Sequence, residues 1–149
     1  MLDLIVATTS PTAKMPVKSG NLEAGIDFFA DLHAFGEKTI IYPNARKTIS
    51  LGVAMAIPSG WFLRLAGRSG LARDKGIMVL GGIIDCTYRG EIAALLYNSG
   101  DHPWTVNHGD KVLQGVILPV PEVEFRQVKS ISDLPASDRG EKGFGSSGA

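Results

Sequence analysis

KTISLGVAMAIPSGWFLRLA, residues 47–66, decides the fold class. Two runs of β-branched, aromatic and aliphatic residues, 47–57 and 61–66, flank Pro58-Ser59-Gly60. Such residues suit a pleated, half-buried surface, and Pro, Ser and Gly supply turn geometry, so the stretch reads as two strands joined by a hairpin connection. Working outward, turn signals recur at Ser10-Pro11, Ser19-Gly20-Asn21, Pro43-Asn44, Asn98-Ser99-Gly100-Asp101 and Asn107-His108-Gly109-Asp110. Between them lie further strand-like runs at 2–6, 26–29, 39–42, 91–97, 111–120 and 123–128. Only 69–75 and 131–134 have room for a helical turn or two. Short strands at intervals of roughly eight to twelve residues predict an all-β antiparallel sandwich or barrel rather than βαβ units. The 18 glycines and 8 prolines suit a turn-dense chain. No internal repeat is present.

The chain has 149 residues, which suits one domain with a real core. Apolar residues are 44% and charged residues 20%, a globular balance. Lys plus Arg and Asp plus Glu are both 15. A net charge of zero argues against a duplex-binding module, which normally shows a basic excess. Cys86 is the single cysteine, so there is no internal disulfide, and a reducing compartment is expected. No apolar run reaches the roughly 20 residues a membrane helix needs. The first residues, MLDLIVATTSPTAK, lack a basic region ahead of their apolar run and do not read as a signal peptide. The expected setting is the cytoplasm, or a host's cytoplasm if the source is viral.

Chemistry gathers first in Gly81-Gly82-Ile83-Ile84-Asp85-Cys86-Thr87-Tyr88-Arg89-Gly90-Glu91. Two isoleucines before Asp85 predict a partly dry carboxylate, and an unpaired charge in such a place is costly. Two readings stand. Asp85 has a functional task, since perturbed acids cluster at working sites, or it ties a hairpin together by accepting backbone N–H bonds.

Gly67-Arg68-Ser69-Gly70-Leu71-Ala72-Arg73 follows an apolar strand and offers a guanidinium fork, a hydroxyl and an unobstructed backbone N–H. It is a candidate phosphate cradle; the alternative is a turn with a surface arginine. Ser69 lacks the G-x-S-x-G context of a nucleophile. The last eleven residues, RGEKGFGSSGA (139–149), hold one large apolar side chain, Phe144, too little to anchor a packed segment. The default is a frayed end. Yet Arg139, the glycines and the hydroxyls of Ser146 and Ser147 suit an anion, and Phe144 suits a base. A Walker A loop is rejected, because Ser146 stands at the lysine position and no helix can follow.

His33, His102 and His108 show no ligand spacing, so a dedicated protein-made metal site is not expected. A magnesium ion held mainly by substrate phosphates stays open. Trp61 and Trp104 read as packing residues. Asp27, within AGIDFFA (24–30), reads at least as well as a structural hydrogen-bonding carboxylate as a catalytic one. Gln114, in an apolar strand, requires a partner.

Together these segments resemble the trimeric dUTPase family. Five stretches carry the likeness in order: AGIDFFA (24–30), GRSGLA (67–72), GGIIDCTYRGE (81–91), GDKVLQGVI (109–117) and RGEKGFGSSG (139–148). Each is weak alone; the ordered set is specific. The resemblance implies a jelly-roll-like β domain over 1–138, a mobile lid over 139–149, and a homotrimer with shared sites. The implied reaction is hydrolysis of dUTP to dUMP and pyrophosphate with Mg²⁺. By position, Asp85 would activate the water that attacks the α-phosphorus and hold the sugar 3′-hydroxyl. Tyr88 would exclude a 2′-hydroxyl. The backbone of Gly82, Ile83, Ile84 and Asp85 would read the uracil edge. Arg68, Ser69, Gly70 and Gln114 would hold phosphates. Phe144 would stack on the base, while Arg139, Gly145, Ser146 and Ser147 would grip the outer phosphates. Asp27 would steady the metal's waters without ligating it directly.

Departures from the family pattern are Ile26 where an aromatic is common, Gly67 where proline is common, and Cys86-Thr87 at a variable pair. Cys86 is an oxidation liability if exposed. Two other readings compete: a dCTP deaminase, which would need a glutamate at the base's amino group and lacks such a tail, and a jelly-roll regulatory protein that uses nucleotide binding as a switch.

Overall fold

The computed structural model describes residues 2–138, 140 and 141. Arg139 and the 142–149 segment, which holds Phe144, Gly145, Ser146 and Ser147, lie outside the described residues, so the expected lid does too.

Every paired strand is antiparallel. A four-stranded sheet has the order β1 (Ile5–Thr8), β5 (Arg46–Ala56), β9 (Ile92–Asn98), β7 (Ile77–Leu80). A five-stranded sheet runs β2 (Val17–Lys18), β3 (Ile26–Phe29), β11 (Lys111–Pro119), β6 (Trp61–Ala66), β8 (Ile83–Asp85). A two-stranded ribbon pairs β4 (Lys38–Ile41) with β10 (Trp104–Asn107). Among the described residues one helix, α1, spans Ser69–Lys75, and 3-10 turns cover His33–Phe35 and Ile131–Asp133. The architecture is the expected jelly-roll-like all-β fold.

Alternation explains the layers. In β9, Ile92, Ala94 and Leu96 are buried, while Ala93, Leu95 and Tyr97 point the other way. Ile49, Val53, Ile92 and Leu96 of one sheet pack with Phe28, Leu63, Leu65 and Leu113 of the other in one core cluster, and Ile41 and Val106 join it from the ribbon. Truncating a fully buried leucine such as Leu63 to alanine costs about 2–5 kcal/mol. The buried polar groups are paired. Asn98 donates to the carbonyls of Ile41 (2.9 Å) and His102 (2.8 Å) and accepts from Gly100 N–H (2.9 Å). The Asp31 carboxylate accepts from the hydroxyls of Ser10 and Thr12.

Three sequence expectations change. Pro58-Ser59-Gly60 is a turn, with Trp61 N–H donating to Pro58 O at 3.2 Å, but it does not join a hairpin. It carries the chain from β5 in one sheet to β6 in the other. A turn sequence fixes the local reversal, not the strand's partner. The 123–128 run is no strand, and Phe125 is 94% exposed: alternation without a neighbouring edge gives no ladder. β2 and β7 were not read as separate strands, and β10 was read only as a strand-like run around Trp104, although β3, equally short, was read with its bounds.

Candidate active site

The hairpin that carries Asp85 grows from the end of β7. Gly81 and Gly82 take φ of +66° and +93°, and a Cβ on Gly82 would lie 2.9 Å from the carbonyl of Leu65. Glycine is therefore required for the chain to turn there and run close along β6. Leu65 N–H donates to Gly82 O at 2.7 Å, and β8 then pairs β6 in the register Arg64↔Ile83, Leu63↔Ile84, Phe62↔Asp85.

β8 is the last strand of its sheet. An edge strand presents N–H and C=O groups on its open side. Ile83 is 58% exposed and Asp85 is exposed as well, so the expected dry carboxylate is corrected for the single chain. Only one face of β8 meets the core, and Ile84 takes that position. Among the described residues the Asp85 carboxylate makes no hydrogen bond or ion pair. Other groups tie the hairpin. Tyr88 Oη donates to Glu91 O at 2.9 Å, and Arg89 Nη1 donates to the carbonyls of Cys86 (2.6 Å) and Tyr88 (2.8 Å). A Cβ on Gly90 would meet Tyr88 Oη at 2.5 Å, so the ring lies flat across the turn only because residue 90 is glycine. Cys86 is half-buried against the core.

Glu91 was not singled out from the sequence. Its carboxylate accepts from Thr9 Oγ1 (2.5 Å) and Ser50 Oγ (2.6 Å), locking the base of the hairpin to the four-stranded sheet. Nothing local signals this, because the partners are 82 and 41 residues away. The result is a groove of about 290 Å³ between Ile83, Ile84, Asp85, Tyr88, Glu91 and Ile92.

A second groove of about 370 Å³ lies at the other end of β6, lined by Asp27, Arg68, Ser69, Gly70, Leu71 and Gln114 among others. Arg68 stands in extended backbone just ahead of α1, whose first hydrogen bond is Ala72 N–H to Arg68 O at 3.0 Å. The earlier N–H groups are thus left free by the helix. Gln114 sits in β11 opposite both Asp27 and Ala66, and its Nε2 donates to Gly67 O at 3.3 Å, the partner that an amide in an apolar strand requires. Arg68 Nε lies 3.6 Å from Asp27 Oδ1, and Arg68 Nη1 donates to Lys111 O at 3.1 Å. Lys111 Nζ is 2.7 Å from Asp27 Oδ2. Nearby, Arg73 forks onto Asp74 at 2.6 and 3.0 Å, which holds the Asp74 carboxyl below its usual range. Asp74 stays ionised, its charge countered by the Arg73 guanidinium.

The two grooves share no lining residue. Phe62 opposes Asp85, and Arg68 follows six residues later along an extended chain. At about 3.3 Å per residue the separation is roughly 20 Å. Among the described residues no three His, Cys, Asp or Glu side chains gather where they could hold a metal ion. Among the described residues no helix is long and apolar enough to cross a membrane.

The fold and these surfaces define a jelly-roll-like β protein with a solvent-facing acid on one edge hairpin and an Arg-Ser-Gly turn with a neighbouring amide at the far end of the adjoining strand. A dUTPase family model matches residues 12–148. Over 127 residues the chain is 43% identical to the deoxyuridine 5′-triphosphate nucleotidohydrolase of Anaplasma marginale, covering 84% of this chain and 82% of the relative. The enzyme of the same description from Yarrowia lipolytica is 36% identical over 149 residues, 99% of this chain and 90% of its own. The solved dUTPase of Staphylococcus bacteriophage 80alpha with dUPNHPP superposes with a TM-score of 0.87 at 27% identity, covering 99% of both chains. The chain belongs to the dUTPase family.

Proposed function

We infer that this member of the dUTPase family hydrolyses dUTP to dUMP and pyrophosphate. It is a dUTP diphosphatase, limiting uracil available for incorporation into DNA and supplying dUMP. The observation that carries the mechanistic reading is the Asp85 carboxylate, exposed on an edge strand and bonded to no described residue. An acceptor so placed is free to take a proton from water. The open edge of β8 offers backbone N–H and C=O groups in the alternation that an imide edge such as uracil's requires. Tyr88, pinned by its own hydroxyl to Glu91 O, presents a ring face to the sugar. Asp85 abstracts the water's proton as oxygen bonds to the α-phosphorus, and pyrophosphate departs.

Arg68, Ser69, Gly70 and Gln114 receive the phosphates, stabilising charge as it shifts onto the leaving group. Arg139, Phe144, Gly145, Ser146 and Ser147 close over the nucleotide and exclude bulk water. Mg²⁺ fits this donor set only through the substrate. Asp27 is already engaged by Lys111, so it reaches the ion's waters at most, and the phosphates supply the ligands. When bound, the ion neutralises charge on the phosphate oxygens. A D-to-N variant of the dUTPase from phage phi11 of S. aureus, 25% identical with a TM-score of 0.76, is described with a structural Mg(II) ion.

Three observations support a homotrimer with shared sites. Asp85 and Arg68 of one chain lie too far apart to serve one α-phosphorus, so a neighbour's cradle completes the site. The outer face of the four-stranded sheet is largely apolar: Ile5↔Ala56, Ala7↔Ala54, Leu80↔Leu95 and Met78↔Tyr97 pair across it, and Ile5 is 66% exposed. Such a face calls for a cover. The exposed Val123 and Phe125 of the arm beyond β11 call for one too. The expected compartment is the cytoplasm, with no nucleic-acid or membrane partner.

The direct test is pyrophosphate release from dUTP, UTP, dCTP and dTTP, with and without Mg²⁺, with ammonia measured in parallel. Release from dUTP alone, dependent on Mg²⁺, is expected. Ammonia from dCTP would instead identify a deaminase.

A further inference from the structure

Lys111 holds both members of the Asp27–Arg68 pair at once. Its ammonium lies 2.7 Å from Asp27 Oδ2, while its main-chain carbonyl accepts Arg68 Nη1 at 3.1 Å. Arg68 Nε stays at 3.6 Å from Asp27 Oδ1, longer than a hydrogen bond.

A β-bulge delivers the lysine there. β11 pairs β3 as Gln114↔Asp27 and Leu113↔Phe28, and the next partners are Lys111↔Phe29, with Val112 inserted. In an unbroken ladder Val112 would oppose Phe29, and Lys111 would point to the opposite face from Asp27. The inserted residue moves Lys111 onto the face shared by Asp27, Phe29 and Gln114. Two marks of the shift are visible. Val112 and Leu113 are consecutive yet both buried, and the Lys111 ammonium stands 5.9 Å from the centre of the Phe29 ring.

The placement matters for charge. Asp27, Arg68 and Lys111 together carry one net positive charge; Asp27 and Arg68 alone would carry none. The carboxylate is the least exposed member, at 17% against 37% for Arg68 and 41% for Lys111, so the cationic groups face solvent. Of the other nearby cations, Arg73 is forked onto Asp74, Lys75 also lines the groove with its ammonium 5.8 Å from the centre of the Trp104 ring, and Lys14 stands 5.6 Å from the centre of the Phe29 ring; none of the three pairs with Asp27 among the described residues.

We propose that Lys111 is the positioning residue of the phosphate cradle: by taking the closer contact with Asp27 it leaves the Arg68 guanidinium only loosely paired and available to phosphate oxygens. This rests on the reading of the Arg68 groove as the phosphate site. Lys111 acts through its two neighbours and touches no substrate. Remove its charge and Asp27 recruits Arg68 as its own counter-ion, shortening the 3.6 Å gap and withdrawing the fork from the ligand.

The test uses the full chain with Lys111→Met, Lys111→Gln and Lys111→Arg. Steady-state dUTP hydrolysis is read alongside inhibition by inorganic pyrophosphate and calorimetric binding of deoxyuridine, which has no phosphate. Expected for Met and Gln is a rise of about tenfold in KM for dUTP and in the pyrophosphate inhibition constant. The change in kcat should be smaller, deoxyuridine affinity unchanged, and Arg should restore both constants. Unchanged constants in a folded Met or Gln variant would overturn the proposal. So would an equal loss of deoxyuridine binding, which marks general damage, or failure of Arg to rescue. Wild-type protein that releases no pyrophosphate from dUTP would instead overturn the activity itself, a separate result.

Discussion

Phe62 and Asp85 face each other in the antiparallel register of β6 and β8, which places the acid at the far end of the strand that leads into Arg68. One strand thus carries the proposed hydrolytic carboxylate beside its start and the proposed phosphate turn at its finish. The roughly 20 Å between them follows from strand rise alone.

Asp85→Asn keeps the size and the edge-strand pairing of the residue but removes the proton acceptor. Because the side chain bonds to no described group, the change should leave thermal stability nearly untouched. Turnover should fall by at least about 10²–10⁴-fold, the usual range for a general base. Binding of a non-hydrolysable dUTP analogue should persist. Near-normal turnover in stopped-flow or steady-state assays would remove Asp85 from the chemistry.

Tyr88 is held by one hydrogen bond, Oη to Glu91 O at 2.9 Å, over a glycine whose Cβ would collide with it. Two variants probe this. Tyr88→Ala removes the ring and should narrow the kcat/KM preference for dUTP over UTP. Gly90→Ala should displace the ring and narrow the same preference while leaving the tyrosine in place. If discrimination is unchanged in both, sugar selection lies elsewhere.

Local chemistry was legible in the sequence; partnership was not. The bounds of β3, β6 and α1 match the sequence reading, because each is framed by unambiguous punctuation or a strong residue run. The partner of Gln114 was anticipated in kind, since an amide in an apolar strand must bond to something. What failed depends on residues far away in the chain. Asp85 was expected to be at least partly dry because two isoleucines precede it, yet it is exposed, because its strand is at an edge, and edge position is a property of the whole sheet. The Pro58-Ser59-Gly60 turn was expected to join a hairpin, and it instead crosses between sheets. Glu91 and Lys111 escaped notice for a related reason: one finds its partners across tens of residues, the other is re-aimed by a bulge.

Removal of 139–149 tests the tail. The segment has one large apolar side chain, Phe144, too little to anchor a packed segment, so the truncated chain should fold and assemble with an unchanged melting temperature. Its dUTP turnover should fall at least about 100-fold if the segment is the proposed lid, since closing a lid excludes water and aligns the reacting groups. A fully active truncation would show that the grooves described above suffice without a lid.

Mixing two inactive variants tests whether sites are shared. If Asp85 of one chain serves the Arg68 cradle of its neighbour, Asp85→Asn and Arg68→Ala damage different halves of every site. In a randomly mixed 1:1 trimer, a site is intact when one contributing chain is Arg68→Ala and the other is Asp85→Asn. Each choice has even odds, so about a quarter of sites should be whole. Co-expressed or co-refolded variants should therefore recover about a quarter of wild-type activity, while each variant alone stays near its own low level. A site contained within one chain predicts no recovery at any ratio, because every chain carries one lesion. The dependence on mixing ratio adds a second check: with fraction x of one variant, activity should follow x(1 − x) and peak at equal proportions. A flat, low line across all ratios would rule out sharing between Asp85 and Arg68, and would leave the roughly 20 Å gap along β6 without a functional explanation.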